Sequence, residues 1–263
     1  MYHEKYITMN IKGKNAIVTG GGRGLGKAVA LALANEGVNV AVTGRNEENL
    51  KNTVEEIRNT GVNAAYAVFS VDSESEVKTG IESLAEQLGG IDILINNAGI
   101  GVQAKNFEEL SEEELDRLIG VNIKGVYFGC QAVIPHMKKN GFGVIINTAS
   151  ASGLRPRTGN AMYSTTKGAV ITLTKALAIE LAPFGIRVTG VNPVAVKTNV
   201  LTQLMGEKGS ESHRIRSERM INSIPLGRLA TPDDIANAMV FLASEEAALV
   251  TGSFIDVDGG RGI

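Results

Sequence analysis

Tyr163 and Lys167 are separated by one helical turn, and Ser150 stands thirteen residues before the tyrosine at the end of an apolar run. A free tyrosine keeps its proton up to a pKa of about 10, so its hydroxyl exchanges protons poorly near neutral pH. A lysine four residues on shares the helix face of the tyrosine, and its positive charge favours the phenolate. A serine hydroxyl beside both can hold a substrate oxygen. The trio predicts proton transfer to or from an oxygen atom, although a Tyr–Lys pair at this spacing is also common on solvated helix faces.

A glycine-rich turn follows the first strand-like run of the chain and opens a helical pattern. Glycines let the backbone turn sharply and approach a pyrophosphate, and a helix N-terminus offers free N–H groups and a positive dipole end. The spacing is Thr-Gly-x-x-x-Gly-x-Gly rather than the common Gly-x-Gly-x-x-Gly. A glycine cluster alone is a weak signal, but its position predicts a dinucleotide site. The residues expected to contact the dinucleotide are Thr19, Gly20, Gly22, Arg23, Gly24, Leu25 and Gly26.

The second strand-like run indicates which dinucleotide is bound. Folds that bind NAD usually place an acidic residue near the end of this strand, where it accepts hydrogen bonds from the ribose. Here the run ends in Arg45-Asn46, and the first carboxylate is Glu47. Arg45, together with Arg23, is suited to clamp a 2′-phosphate. The alternative is two solvated arginines, but the absent acid and the two bases together favour NADP over NAD.

Short apolar runs alternate with longer helical patterns along the whole chain. Such continuous apolar runs are typical of parallel strands buried on both faces. The predicted strands are Asn15–Thr19, Val38–Thr43, Ala64–Ser70, Ile91–Asn96, Gly143–Thr148, Arg187–Asn192 and Ser253–Val257. The predicted helices are Gly24–Asn35, Glu47–Asn59, Ser73–Gln87, Ser111–Met137, Asn160–Leu181 and Thr231–Leu242. Helix capping by Thr231 is expected for the last of these, because a proline and two aspartates follow it.

The alternation predicts an α/β fold: a single doubly wound Rossmann-type domain over residues 1–263, with a parallel sheet of about seven strands and helices on both faces. Residues 1–11 are expected to form a flexible N-terminal extension. The polar segment 197–223 interrupts the alternation just past a strand end, which predicts a lid over a ligand. A surface loop without a role remains the alternative for that segment.

Composition narrows the possible partners and location. The formal net charge of −2 gives no basic footprint for nucleic acid. No apolar stretch approaches the roughly 20 residues of a membrane span, and the first residues lack the apolar core of a secretory signal, so a cytoplasmic location is expected. Cys130 is the only cysteine, in an apolar helical pattern that predicts a buried, inert thiol. The three histidines are scattered, and no metal site is predicted.

Several of these segments together resemble the short-chain dehydrogenases/reductases. The matching parts are the glycine turn, Asn96-Asn97-Ala98-Gly99, Asn122, the Ser150–Tyr163–Lys167 trio, Asn192-Pro193 and the closing Val257-Asp258-Gly259-Gly260. The likeness covers the chain from about Lys12 to Gly260. Each motif is common on its own, but their order and spacing together are highly specific.

The resemblance implies a role for each matching residue. Tyr163 would protonate a carbonyl oxygen as hydride arrives from NADPH, or take the alcohol proton in the reverse direction. Lys167 would lower the pKa of Tyr163 and hold the nicotinamide ribose, and Ser150 would bind the substrate oxygen. Asn122 would hold a water that links Lys167 to solvent. The remaining implied cofactor contacts are Asn96 and Gly99 in the groove, Asp72 at the adenine and Thr198 at the carboxamide.

Two of these roles have plainer alternatives. Asn122 could cap or kink its helix, and Asp72 could cap the helix that begins near Ser73. The family also forms dimers or tetramers through the long helices matching Ser111–Met137 and Asn160–Leu181, so a homo-oligomer is implied. The apolar stripe on the second of these helices could equally face the sheet.

The chain departs from the family at two places. Val194 follows Pro193 where the family has glycine, which is expected to narrow the corner beside the nicotinamide. The chain also resembles the 3-oxoacyl-carrier-protein reductases, but Pro135 and Ile179 stand where those relatives carry docking arginines. Lys138, Lys139, Arg155 and Arg157 could substitute, although ordinary surface charge is the simpler interpretation.

A small free ketone or secondary alcohol is therefore the favoured substrate. The alternatives are 3-oxoacyl thioester reduction, sugar oxidation, and a catalytically silent protein that binds the dinucleotide as a sensor.

Overall fold

The computed structural model describes residues 9–197 and 211–263. Its centre is a sheet of seven parallel strands in the order β3-β2-β1-β4-β5-β6-β7. The strand order reverses between β1 and β4, and a crevice opens beyond the carboxyl ends of the strands at such a point. The strands are β1 (Asn15–Thr19), β2 (Asn39–Gly44), β3 (Ala64–Val68), β4 (Ile93–Asn96), β5 (Gly143–Thr148), β6 (Ile186–Pro193) and β7 (Phe254–Val257).

All seven predicted strands are present, and the predicted doubly wound α/β fold is confirmed. Strand ends differ from the predicted ones by no more than two residues. β3 stops at Val68: the Phe69 N–H still donates to Gly44 of β2, but the Ser70 N–H donates to the Glu76 side chain instead. The helices are α1 (Gly24–Asn35), α2 (Glu47–Arg58), α3 (Glu74–Leu88), α4 (Glu112–Ile119), α5 (Gly125–Asn140), α6 (Ala151–Leu154), α7 (Ala161–Leu181), α8 (Glu211–Asn222) and α9 (Pro232–Ala243).

The helices cover the two faces of the sheet in separate layers. On one face, α1, α2 and α9 pack against alternate strand residues such as Val18 and Val40. On the other face, α3, α5 and α7 pack against the intervening residues, such as Ile17 and Leu94. The strands are apolar at successive positions because both of their faces are buried. Val170 and Ala178 of α7 belong to this second core, so part of the apolar stripe of that helix faces the sheet.

The long helix predicted over 111–137 is interrupted. Between α4 and α5 the chain forms one π-helical turn, Gly120–Lys124, closed by a hydrogen bond from the Gly125 N–H to the Gly120 carbonyl. Its Asn122 side chain is bonded to backbone groups outside the helix, which holds the wider turn in place. Turns of this kind often occur at functional sites. The continuous helix predicted from the apolar residues did not allow for this turn.

The structure describes only part of the predicted N-terminal extension, residues 1–11, and of the predicted lid, residues 197–223. Residues 1–8 lie outside the described part, but Ile11 is 2% exposed and the Asn10 N–H donates to Glu246, so residues 9–11 are packed and the predicted extension does not reach residue 11. Of the predicted lid, residues 198–210 lie outside the described part. Its C-terminal half forms α8, a helix that sequence analysis missed because it has little apolar periodicity.

One described helical stretch, Glu112–Asn140, is apolar and long enough to cross a membrane by composition alone, contrary to the prediction that no stretch approaches that length. Helices in the core of a globular protein can have the same length and apolar composition. Here α5 packs against β4, β5 and α3, and Val133 and Met137 are fully buried. The apolar character of this stretch therefore follows from its place in the core.

The helix α9 begins as the sequence predicted. The Thr231 hydroxyl accepts the Asp234 N–H at 3.2 Å, and the Asp234 carboxylate accepts the Thr231 N–H at 2.7 Å. Both orphan donors are satisfied by this capping box. Arg228 adds a bidentate ion pair to the same carboxylate.

Among the glycines of the strands, Gly190 leaves the least space for a side chain, so a substitution there tests the packing. A Cβ at this position would lie 2.3 Å from Phe254 Cε1 and 2.5 Å from the Asn147 carbonyl oxygen. We expect Gly190→Ala to lower the unfolding free energy by about 1–3 kcal/mol through overpacking, measured by urea denaturation. Gly168→Ala, within α7, is the control, because a Cβ at this position would contact only the Gly153 oxygen, at 3.6 Å. That change should raise stability by roughly 0.5–1 kcal/mol; equal effects would contradict the packing argument.

Candidate active site

A cleft of about 1190 Å³ runs along the carboxyl ends of the strands. Its walls come from the segments that follow all seven strands, together with parts of α7 and α8. These segments come together because parallel strands all end at the same edge of the sheet. The cleft therefore collects residues that are far apart in sequence.

The glycine turn forms the wall of the cleft beside β1 and leads into α1. Gly20 has φ +66° and Gly24 has φ +56°, conformations that favour glycine. A Cβ on Gly26 would lie 2.2 Å from the Gly20 oxygen, so only glycine lets the helix begin this close to the turn. No side chain caps α1, and no acidic residue lies in its first turn. Its N-terminal N–H groups and positive dipole end are therefore suited to a pyrophosphate.

All but one of the residues predicted from this turn line the cleft. They are Gly20, Gly22, Arg23, Gly24, Leu25 and Gly26. The exception is Thr19, which is 3% exposed. Its hydroxyl accepts the N–H groups of Asn97 and Ala98, each at 3.0 Å, and its carbonyl accepts the Asn97 side-chain amide. These bonds fasten the end of β1 to the loop after β4, and the cofactor contact of Thr19 stays a prediction.

Arg23, after β1, and Arg45, after β2, both line the cleft. Both are exposed, and neither side chain has an ion pair or hydrogen bond to another described residue. The nearest acid in sequence, Glu47, is held by Lys51 at 3.0 Å and by the Tyr66 hydroxyl at 3.0 Å. The two guanidinium groups are thus free to take a phosphate, and no carboxylate competes for them.

Ser150, Tyr163 and Lys167 meet at the edge of the cleft nearest β5. Ser150 ends the segment after β5 and caps α6, while Tyr163 and Lys167 lie in the first two turns of α7. Lys167 Nζ is 6.0 Å from the centroid of the Tyr163 ring, and it donates to the Thr148 carbonyl at 2.8 Å. The structure brings the predicted trio together, and two N–H donors of the ammonium stay free for other partners.

Burial shifts the pKa values of both ionisable groups. Lys167 is 5% exposed, and loss of water lowers the pKa of its ammonium to about 8. Burial raises the pKa of Tyr163 above its ordinary value, and a hydrogen bond with Ser150 opposes that rise. The pKa of Tyr163 is thus set by burial and by Ser150, and the expected lowering by Lys167 is not among the causes of its shift. The lysine can assist only while it is charged, below a pH of about 8.

Asn122 connects the π-helical turn to the loop after β4. Its side-chain oxygen accepts the Ile100 N–H at 2.9 Å, and its amide donates to the Ile100 carbonyl at 3.0 Å and to Thr166 Oγ1 at 3.2 Å. A Cβ on Gly99 would lie 3.4 Å from Asn122 Oδ1 and 3.5 Å from Lys167 Nζ. Gly99 thus leaves open the space where Asn122 and Lys167 face one another.

Asn96 lies away from the predicted position in the groove. It is 2% exposed, and its amide donates to Asn147 Oδ1 at 2.9 Å and to Cys130 Sγ at 3.4 Å. Asn147 in turn donates to Thr174 on α7 at 2.9 Å. These side chains form a polar ladder between the sheet and its helices, and the cofactor contact of Asn96 stays a prediction. Cys130 is buried as expected, and burial raises its pKa to about 12.

Three further predictions have mixed outcomes. Asp72 is exposed and follows Phe69–Val71, which line the cleft, but it is not itself a lining residue. Val194 lines the cleft yet is only 6% exposed and belongs to the core, so most of its added volume lies in the core. Thr198 lies outside the described residues. Within residues 9–197 and 211–263 no group of three His, Cys, Asp or Glu side chains could hold a metal ion.

Sequence reasoning missed several residues that the fold brings to the cleft. Asn97 lines it and carries the bond to Thr19, and the Thr148 carbonyl anchors Lys167. Both lie beside residues that were predicted, so their position after strand ends was the available signal. Arg157, Arg219 and Arg261 also line the cleft. Arg157 had been interpreted as surface charge, and nothing in the sequence placed the other two near it.

Comparison with known proteins gives matches over nearly the whole chain. A family model described as enoyl-(acyl-carrier-protein) reductase matches residues 20–261. The 4-formylbenzenesulfonate dehydrogenase TsaC1/TsaC2 of Comamonas testosteroni is 40% identical over 255 residues, which cover 97% of this chain and all of that protein.

Solved structures agree in fold as well as in sequence. The 3-ketoacyl-(acyl-carrier-protein) reductase of Brucella melitensis complexed with NADH is 41% identical with a TM-score of 0.88, covering 97% of this chain and 100% of that one. The gluconate 5-dehydrogenase of Burkholderia cenocepacia in complex with NADP and tartrate is 34% identical with a TM-score of 0.89, covering 96% of each chain. One of these two relatives was thus solved with NADH and the other with NADP.

The depressed pKa of Lys167 predicts a pH-dependent stability. Between the folded value of about 8 and the ordinary 10.5, the unfolded chain binds more protons than the folded one, so the unfolding free energy rises with pH across that window. Lys167→Met removes this contribution. From about pH 7.5 to about pH 9.5, wild type should gain about 2 kcal/mol relative to the variant in urea unfolding. Lys78→Met, at an exposed site on α3, is the control; parallel pH profiles for wild type and Lys167→Met would refute the assignment.

Proposed function

The chain belongs to the short-chain dehydrogenase/reductase family of NAD(P)-dependent oxidoreductases, and we propose that it uses NADP(H) to interconvert a ketone and a secondary alcohol. The observation that carries this proposal is the meeting of Ser150, Tyr163 and Lys167 at one cleft with the uncapped N-terminus of α1. The first three residues can hold and protonate an oxygen atom. The helix terminus can hold a pyrophosphate in the same cleft.

The described residues fit a nicotinamide dinucleotide, which supplies or accepts the hydride when bound. Tyr163 gives its hydroxyl proton to the carbonyl oxygen of the substrate, or takes that proton back from the alcohol. The Ser150 hydroxyl holds the same oxygen. Lys167, anchored by the Thr148 carbonyl, keeps positive charge near the phenol and uses its two free donors for ribose hydroxyls. Asn122 holds the loop that shapes this corner, and its turn is the place for a water that relays protons to Lys167.

The preference for NADP over NAD is supported by charge. Arg23 and Arg45 have no partners among the described residues, and Glu47 is occupied by Lys51 and Tyr66. A 2′-phosphate placed between the two guanidinium groups would form charge-assisted hydrogen bonds with both. The ribose hydroxyl of NAD would find no carboxylate there to accept its hydrogen bond.

A small free carbonyl compound or alcohol is the favoured substrate, and 3-oxoacyl thioester reduction is the second candidate. The matches to carrier-protein reductases favour the second candidate. Against it, Pro135 and Ile179 are exposed and uncharged where docking arginines are expected, and Ile179 is 80% exposed. Rates on free ketones and on the corresponding acyl-carrier and coenzyme A thioesters discriminate between the two candidates.

We further infer a homo-oligomer in the cytoplasm, with residues 197–223 acting as a lid. Large apolar side chains remain exposed on the long helices and just after α7, including Tyr127 at 48%, Ile179 at 80% and Phe184 at 43%. A second copy of the chain would cover them if these helices pair. Arg219 and Met220 of α8 line the cleft, so this half of the lid already lies over the ligand space. Light scattering of the purified protein tests the dimer or tetramer.

Replacing the proton donor tests the proposed reaction. Tyr163→Phe nearly preserves the shape of the cleft but removes the hydroxyl, so turnover should fall by roughly 10²–10⁴-fold while NADPH still binds. Rates come from NADPH oxidation with a panel of ketones, and binding comes from NADPH fluorescence. Tyr127→Phe, on α5 outside the cleft, is the matched control and should keep wild-type rates. Retained turnover in Tyr163→Phe would remove that residue from the reaction, and wild-type binding without any turnover would favour the silent sensor.

Reversing the charge at Arg45 tests the choice of dinucleotide. Arg45→Asp repels a 2′-phosphate and offers a carboxylate to a ribose hydroxyl. We expect kcat/KM for NADPH to fall about tenfold to a hundredfold, as for the loss of one hydrogen bond to a charged group, while kcat/KM for NADH rises. Arg117→Asp, on the exposed face of α4, controls for the change in net charge. An unchanged cofactor ratio would exclude Arg45 from the phosphate site.

A further inference from the structure

The end of the cleft beside Tyr163 carries positive charge that the proposed reaction does not use. Arg157 follows α6 and Arg261 follows β7, and both line the cleft. Arg157 also lines a second cavity of about 260 Å³ that shares Tyr163 as a wall. Arg219 adds a third guanidinium group to the lining of the cleft from α8. Segments remote in sequence thus bring Arg157 and Arg261 close enough for their charges to interact, and Arg219 lines the same cleft.

These charges are offset only in part by the protein, through the Asp258 carboxylate near Arg261. No aspartate or glutamate lies among the described residues that line the cleft. Asp258 is the nearby acid, but its two oxygens accept the N–H groups of Gly260 at 2.9 Å and Gly262 at 2.6 Å. The Arg261 Nη1 atom is buried and has no hydrogen-bond partner among the described residues. A buried guanidinium donor without a partner is costly, so an anionic acceptor that reached the Arg261 guanidinium would stabilise it.

The fold holds Arg261 in place against repulsion from its neighbours. Arg155 Nη1 donates to the Arg261 carbonyl at 3.0 Å and to the Ile263 carbonyl at 3.2 Å, which fixes the backbone after β7. Burial, and then the nearby charges of Arg157 and Arg155, lower the pKa of Arg261 to about 10. The side chain is therefore still charged at neutral pH, although its surroundings disfavour that charge. A bound anion would relieve both the burial and the repulsion.

The cofactor phosphates do not account for this site. In the strand order of the sheet, the segment after β2 that carries Arg45 is three strands from β5 and five strands from β7. At about 4.8 Å between neighbouring strands, those separations are about 14 Å and about 24 Å. Arg157 and Arg261 lie beyond β5 and β7, on the side of Tyr163. Two separate anionic groups are thus provided for, one at each end of the cleft.

We propose that the substrate is a carbonyl compound or alcohol that carries an anionic group, a carboxylate, sulfonate or phosphate, which Arg157 and Arg261 bind while its reacting oxygen lies at Tyr163 and Ser150. This substrate class rests on the proposed function. Planar guanidinium groups bind such anions through paired hydrogen bonds. The position of both arginines inside the cleft, rather than on the outer surface, fits an anion on a small molecule and not the face of an acidic protein.

The experiment uses two matched pairs of ketones, each with the same carbonyl frame with and without the charge. They are 4-acetylbenzoate against 4-acetylbenzamide and 2-oxobutanoate against 2-oxobutanamide. With NADPH, the ratio of kcat/KM for the anion to that for its neutral partner should exceed about tenfold in at least one pair. Arg157→Gln and Arg261→Gln should each lower that ratio by about tenfold or more, as expected for the loss of a charge-assisted contact. Arg117→Gln, outside the cleft, should leave it unchanged.

A binding measurement separates failure of this inference from failure of the proposed reaction. Calorimetry of the same four compounds with the NADP-loaded protein reports the anion site even when no ketone is turned over. Tighter binding of an anion than of its amide, reduced in Arg157→Gln and Arg261→Gln but not in Arg117→Gln, supports the inference whether or not turnover occurs. The inference is overturned if neither anion binds or reacts better than its amide. It is also overturned if the arginine variants weaken anion and amide equally.

Discussion

The burial of one positive charge determines how the rest of the site is built. Lys167 is 5% exposed, and of its three donors one is satisfied by the Thr148 carbonyl at the end of β5. A buried ammonium is expensive, and the drop in its pKa to about 8 reflects that cost. The lysine is therefore mostly charged at neutral pH, but it loses its proton at a lower pH than an exposed lysine does. Tyr163, the open space at Gly99 and the loop held by Asn122 are arranged around this charge.

Positive charges without a paired carboxylate also occur elsewhere in the described lining of the cleft. Its described lining contains arginines at both ends and no carboxylate, and its first wall is a helix N-terminus without a capping side chain. A protein that places cations together without counter-charges loses stability unless a ligand supplies the anions. The proposed 2′-phosphate would supply an anion to Arg23 and Arg45, and the proposed anionic substrate would supply one to Arg157 and Arg261. Stability of the free protein and affinity for anionic ligands are thus opposed, as is common at functional sites.

Polar side chains outside the cleft hold its walls in register. Thr19 joins the ends of β1 and β4 through its hydroxyl and carbonyl. Asn96 and Asn147 extend a buried ladder from the sheet to α7, the helix that carries Tyr163 and Lys167. Thr19 and Asn96, both predicted to touch the cofactor, are buried and bonded to neighbouring strands and loops. A motif in sequence marks residues needed by a site without saying which of them reach the ligand.

The sequence by itself determined the seven strands, most of the helices, and the segments that would carry chemistry. Those features follow from local patterns: apolar runs, glycines where the backbone turns, and the i, i+4 spacing of Tyr163 and Lys167. It also suggested the family, because many short motifs occurred in order. Only the tertiary structure decided which side chains face the cleft, that a π-helical turn holds Asn122, and that Arg261 meets Arg157. The reason is physical: burial, desolvation and the pairing of charges depend on residues brought together from distant strands, and no local pattern in the chain records those distances.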